Sequence, residues 1–181
     1  LVALESPSVP PDYDPYPKPT HAATIADNSL LPIVTTADVL SGLKEAEETI
    51  DASQQIFSKA KFLQTGQGQT EIKLDNLGPT IRSEHHGNIE FRRLSLEHGG
   101  KHYAELDAGL RERRLTPRDC ALIQTFPPDY RFVMKKASGR GFRLSSSGAY
   151  KIIGNAVPPV LAYNIAMRLQ EVWDRYFSTN K

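Results

Sequence analysis

Apolar side chains recur at Leu161, Ile165, Leu169, Val172 and Tyr176, with Trp173 beside them and polar residues between. A spacing of three and four places them on one stripe of a helix. Pro158 and Pro159 suit a first turn, where a missing N–H costs no hydrogen bond. The pattern therefore predicts a helix over 158–176. A second helix announces itself by its start. Thr116-Pro117-Arg118-Asp119 supplies an N-cap hydroxyl, a proline at the first helical position and a carboxylate at the capping-box position. It is expected to run to about Thr125 and stop before Phe126-Pro127-Pro128. Its apolar positions are Leu115, Cys120, Leu122, Ile123 and Phe126, which offers the single cysteine an ordinary core role.

Weaker patterns fill the rest. Thr36 is expected to cap a short helix through ADVLSGL, and residues 44–63 read as a helix with a polar first half. Period-two alternation appears at Ile72 and Leu74, then a turn at Gly78-Pro79 and an extended run from Thr80-Ile81. Ile89, Phe91 and Leu94 alternate in the same way. These segments predict short strands in a small irregular sheet. Residues 138–150, SGRGFRLSSSGAY, read as a Gly/Ser-rich loop. Residues 1–20 hold six prolines and read as an extended linker, the middle of something longer.

Length and composition change this picture little. A chain of 181 residues, 39% hydrophobic and 24% charged, suits a globular domain with a real core. One cysteine excludes an internal disulfide and a cysteine-rich zinc site. Charge is more informative. Residues 1–60 carry three lysines against nine carboxylates, a net −6; residues 61–181 carry 19 basic against 12 acidic residues, a net +7. A basic half rich in arginine suits a polyanion, although a solvated surface would look the same.

No P-loop, GxSxG elbow or HExxH motif is present. Gly139-Arg140-Gly141 lacks the third glycine and the strand-to-helix setting of a dinucleotide fingerprint. The adjacent His85-His86 pair has no cysteine nearby and lacks the wider spacing of metal ligands.

Two stretches together are specific. RRLTPRDCALIQTFPPDYRF, followed after some thirty residues by YKIIGNAVPPVLAYNIAMRL, closely resembles the last two motifs of the DNA (cytosine-5)-methyltransferases. Asp119 stands where that family more often has Glu. YPKPTH resembles the exit from the family's eighth motif, and GPTIRSEHHGNIEFRR, with Thr80-Ile81, resembles its target-recognition segment. The family's Gly-rich cofactor loop, its Pro-Cys nucleophile and its Glu-Asn-Val segment lie upstream of these motifs and are absent here. The resemblance implies the C-terminal part of such an enzyme, either a cloned piece or the smaller subunit of a split methyltransferase. Cys120 follows Asp119 rather than a proline, so it is not the family's nucleophile.

The implied fold is α+β, a small strand-rich target-recognition domain followed by C-terminal helices that complete a Rossmann-like methyltransferase domain. Its expected parts are a linker over 1–19, a recognition domain over 20–113 and a closing segment over 114–181. Candidate DNA contacts are Gln67, Gln69, Arg82, His85, His86, Asn88 and Arg92, side chains able to read base edges, with Arg140 and Arg143 as phosphate contacts. For Arg114 and Arg118, pairing with acids or carbonyls is the stronger expectation. By resemblance, Asn155, Ala156 and Val157 contribute contacts to S-adenosylmethionine. The expected partners are duplex DNA and the upstream catalytic half or subunit, in a bacterial cytoplasm or nucleoid and not at a membrane. The alternative is a standalone DNA-binding or regulatory module without catalysis.

Overall fold

The computed structural model describes residues 14, 16–23, 29–60, 71–83, 89–100 and 102–176, the last two without their side chains. In chain order the elements are β1 (His21–Ala22), β2 (Leu31–Pro32), α1 (Thr36–Leu40), α2 (Ala52–Gln55), β3 (Glu90–Arg92), α3 (Tyr103–Asp107), β4 (Arg113–Arg114), α4 (Pro117–Ile123), β5 (Met134–Lys135), β6 (Phe142–Leu144), α5 (Ser146–Asn155) and α6 (Pro159–Tyr176). Helix and strand are mixed, as an α+β chain requires. Among the described residues the strands form three two-stranded sheets: β1 with β2 in parallel, and β3–β4 and β5–β6 antiparallel.

The chain divides into two compact units. Ile33–Ala156 form one, and the described residues up to Pro32 and from Val157 form the other. In the second unit β1 and β2 pair His21 with Leu31 and Ala22 with Pro32, and the Arg168 Nε donates to the Asp14 carbonyl at 3.2 Å. Its helix, α6, starts at Pro159 as the proline pair predicts.

The first unit is built around α4, which begins as its sequence dictates. The Thr116 hydroxyl accepts from the Asp119 amide at 3.0 Å, and the Asp119 carboxylate accepts from the Thr116 amide at 2.8 Å. That reciprocal pair satisfies two donors that a helix start leaves open. Leu115, Cys120, Ala121, Phe132, Ala149 and Ile153 form the core around it. Gln124 closes the helix, and Thr125 turns the chain away at φ 62°.

Asp119 is fully buried, and its charge is answered from three directions. Arg113 Nη1 donates to it at 2.5 Å, the Thr116 amide at 2.8 Å and Gln54 Nε2 at 3.4 Å. Gln54, also buried, accepts from the Thr116 hydroxyl at 2.8 Å, which ties α2 to α4. Arg113 lies over the Phe91 ring at 4.0 Å and so brings β3 and β4 into the same network.

Glu112 organises a second network. Its carboxylate accepts from the Leu94 amide at 2.7 Å, the Ser95 amide at 2.5 Å and the Ser95 hydroxyl at 2.8 Å, and it meets His98 Nδ1 at 2.6 Å. Burial pushes this acid up, but the Ser95, His98 and Leu94 contacts outweigh it and hold it down at about 2. The turn 95–100 is thereby fastened to the segment entering β4. Gly100 completes it, because a Cβ there would collide with the backbone of Arg93 and Leu94. Gly154 is constrained in the same way: a Cβ would collide with the backbone of Arg82 and Ser83.

Several expectations need correction. Thr35, not Thr36, caps α1, because Asp38 completes a capping box with it; the Thr36 hydroxyl instead donates to the Asn76 carbonyl at 3.0 Å. Over the described part of 44–63 only the four residues of α2 are helical, and Ile50 is fully exposed. The run 138–150 is not one loop. It holds β6 and the start of α5, where Ser145 caps the helix by accepting from the Gly148 amide, and Ala149, Tyr150 and Ile153 enter the core.

Two outcomes are expected. Asp119→Ala leaves Arg113 buried without its nearest carboxylate and lowers the unfolding free energy by about 3–5 kcal/mol, measured by urea denaturation. Glu112→Gln costs about 1–2 kcal/mol at neutral pH. Because the folded pKa of Glu112, about 2, lies below its ordinary 4.5, its stabilisation is complete above pH 4.5 and lost as pH falls through 2. The gap between parent and variant should therefore close over that window.

Candidate functional site

Three groups of residues invite a functional reading: the arginines around α4, the hairpin after it, and the turn that follows α5. Most of the arginines around α4 are engaged within the protein. Arg113 holds Asp119, the Arg114 Nε donates to Glu90 at 3.2 Å, and the Arg118 Nε donates to Asp51 at 2.6 Å. This agrees with the expectation for Arg114 and Arg118. Arg111 pairs with Glu47 at 2.9 Å on the exposed surface.

Arg92 is engaged as well. Its Nη1 and Nη2 meet both oxygens of Glu45 at 3.0 and 2.7 Å, and its Nε donates to the Arg111 carbonyl at 3.0 Å. This planar, two-pronged contact holds the Glu45 carboxyl below the usual carboxylate range. As a candidate base reader, Arg92 is thus placed on β3 in an internal ion pair. Arg82, by contrast, is exposed beside buried Ile81.

The hairpin is different. β5 and β6 pair Met134 with Leu144 and Lys135 with Phe142. Gly139 and Gly141 carry the turn at φ 71° and 75°, the left-handed region open to glycine. Lys135, Lys136, Arg140 and Arg143 are all exposed along it. The structure thus gathers Arg140 and Arg143 on one basic hairpin, while Arg92 and Arg82 lie on other segments. Gln67, Gln69, His85, His86 and Asn88 lie outside the described residues.

The motif turn starts where α5 ends. Asn155 closes that helix with its side chain exposed, Ala156 is half-buried and donates its amide to the Ile153 carbonyl at 3.2 Å, and Val157 is 60% exposed. Gly154 is set against the backbone of Arg82 and Ser83, in the Thr-Ile-Arg-Ser segment. This contact between two motifs far apart in sequence had no signal beyond the glycine itself.

Cys120 is 1% exposed, and burial, reinforced by the Asp119 charge, pushes its thiol well above the ordinary range. A nucleophilic thiolate needs the opposite environment. Cys120 is a core residue. Tyr150 is also driven upward, first by burial, and its hydroxyl donates to the Leu115 carbonyl at 2.7 Å. Among the described residues no group of histidine, cysteine and carboxylate side chains is arranged to hold a metal, and no helix is long and apolar enough to cross a membrane.

A family model described as C-5 cytosine-specific DNA methylase matches residues 24–171. The Type II methyltransferase M.NgoPII of Neisseria gonorrhoeae is 40% identical over 63 residues, which are 35% of this chain and 16% of that protein. The Type II methyltransferase M.FnuDI of Fusobacterium nucleatum is 44% identical over 59 residues, 33% of this chain and 14% of that protein. The matched stretch is thus a small part of either relative's length. No solved structure gives a significant match.

Proposed function

The chain belongs to the C-5 cytosine-specific DNA methylase family, and from that premise we propose that it is the target-recognition and C-terminal portion, or the small subunit, of a DNA cytosine C5-methyltransferase. The two relatives are type II methyltransferases, which favours a role in restriction–modification. In this reading the nucleophilic cysteine belongs to an upstream half or subunit, and this chain is inactive alone. Flipping the cytosine out of the duplex is required because its ring atoms are closed off within the stack.

Three tasks fall to this chain. Gln67, Gln69, Arg82, His85, His86 and Asn88 read base edges, with Arg92 as their support through β3. Arg140 and Arg143, on the basic hairpin, contact phosphate, and that contact sets register without reading sequence. Asn155, Ala156 and Val157 form an edge of the S-adenosylmethionine pocket. Bound there, the cofactor supplies the methyl group; Asn155 offers it both a donor and an acceptor.

The observation that best supports an incomplete chain is α6. Val160, Leu161, Ile165, Met167 and Trp173 are all exposed on it. That much apolar surface on one helix suits an interface with the upstream half.

The deciding experiment is methyl transfer from labelled S-adenosylmethionine to mixed-sequence duplex DNA, with this chain alone and with a separately expressed chain carrying the upstream motifs. Transfer is expected only in the mixture. Asn155→Ala should lower it about tenfold, the worth of roughly one good hydrogen bond, without weakening DNA binding. Sequence-specific binding with no transfer in the mixture would favour a standalone DNA-binding module. Transfer by this chain alone would overturn the reading.

A further inference from the structure

Helices α4 and α5 both end against one short segment, residues 78–83. At the end of α4, Ile123 lies over Gly78, where a Cβ would collide with its Cγ2. At the end of α5, Gly154 lies over the backbone of Arg82 and Ser83. Between those two contacts Ile81 is buried in the core with Ala121, Ala149 and Ile153. The segment is thus held at both ends and in its middle, while Thr80 and Arg82 are exposed.

The two helix ends are also tied to each other. Gln124, which closes α4, donates from Nε2 to the Ile153 carbonyl at 3.3 Å. The same carbonyl accepts from the Ala156 amide at 3.2 Å. A carbonyl near a helix end has no intrahelical partner, and its two lone pairs can take both donors. One oxygen therefore joins α4 to the turn that carries Asn155, Ala156 and Val157. Backbone packed this closely has little slack, so it passes a displacement on instead of absorbing it.

We infer that Gly154 and Gln124 are positioning residues that couple two ligands: duplex DNA held at Arg82 sets the end of α5, and so tightens S-adenosylmethionine at the turn 155–157. The inference rests on the proposed function, which supplies both ligands, and adds the link between them. Neither residue is assigned a contact with a ligand. Gly154 acts through the backbone of Arg82 and Ser83, and Gln124 through Ile153. The coupling runs both ways, because a cofactor that binds more tightly beside DNA must tighten DNA by the same factor.

The test uses the 181-residue chain mixed with the chain that carries the upstream motifs. S-adenosylhomocysteine, which has no methyl group to transfer, is the cofactor probe. Its affinity is measured with and without a saturating mixed-sequence duplex. In the parent the duplex should tighten it about fivefold or more. Gly154→Ala drives a Cβ into the backbone of Arg82 and Ser83, and Gln124→Met keeps the length of the side chain but removes the donor to Ile153. In either variant the ratio of the two affinities should fall to about one, the value for uncoupled sites. A merely structural defect would weaken each ligand and leave the ratio where it was. Circular dichroism checks the fold, and if Gly154→Ala does not fold, Gln124→Met carries the test. A variant that keeps the parent's ratio removes its residue from the role. A parent ratio of about one, or parental ratios in both variants, with both ligands bound, would overturn the coupling and leave the proposed function standing. Failure of the mixture to bind one of the ligands at all would sink the proposed function, and the coupling with it.

Discussion

A buried carboxylate must be neutralised where it lies, and the unit Ile33–Ala156 is arranged around that demand. Asp119 has no access to water. Its negative charge is tolerable only because Arg113, the Thr116 amide and Gln54 converge on it. Each partner comes from a different place: β4, the helix start and α2. One ionised group therefore fixes the relative positions of three segments, and the apolar core of Leu115, Cys120 and Phe132 packs in the space they define. The capping box usually employs a glutamate. The shorter aspartate draws the carboxylate closer to the backbone it caps, and Arg113 reaches it there.

The same demand explains the arginines. Read as composition, the C-terminal two-thirds of the chain looks like a broad basic surface. In the structure much of that charge is internal. Arg92, Arg113, Arg114 and Arg118 each face a carboxylate, two of which, Glu45 and Asp51, come from the acidic first third of the chain. The charge asymmetry along the sequence is thus partly an ion-pairing scheme between its two parts. Among the described residues, Lys135, Lys136, Arg140 and Arg143 face outward together along the β5–β6 hairpin.

Legibility followed the range of the forces involved. α4 was readable to within two residues because its cap, its proline and its stop lie within a dozen positions of one another. The start of α6 was readable for the same reason. The described part of 44–63 misled, since helix-forming residues there are overruled by contacts that sequence spacing does not reveal: Gln54 is drawn to Asp119, and Arg92 to Glu45. The run 138–150 misled in the opposite sense. Its glycines and serines suggested a loop, yet Ser145 is a helix cap and Gly148 sits in a first turn. At the site, the two family motifs were visible as words in the sequence, and Cys120 was correctly placed in the core. The pairing of Arg118 with Asp51 was not visible, because the two residues are far apart in sequence.

Gly154 carries a different kind of consequence. Its missing side chain lets the end of α5 rest on the backbone of Arg82 and Ser83. An exchange of the segment that carries Arg82 and Ser83 for one of another sequence has to respect that contact. Here such an exchange is not free at every position. A transplanted segment must follow the same path at 82 and 83, or the helix that ends in Asn155 is pushed aside. A glycine distant in sequence thus dictates the chain course at Arg82 and Ser83, and a replacement that ignores it displaces the end of α5.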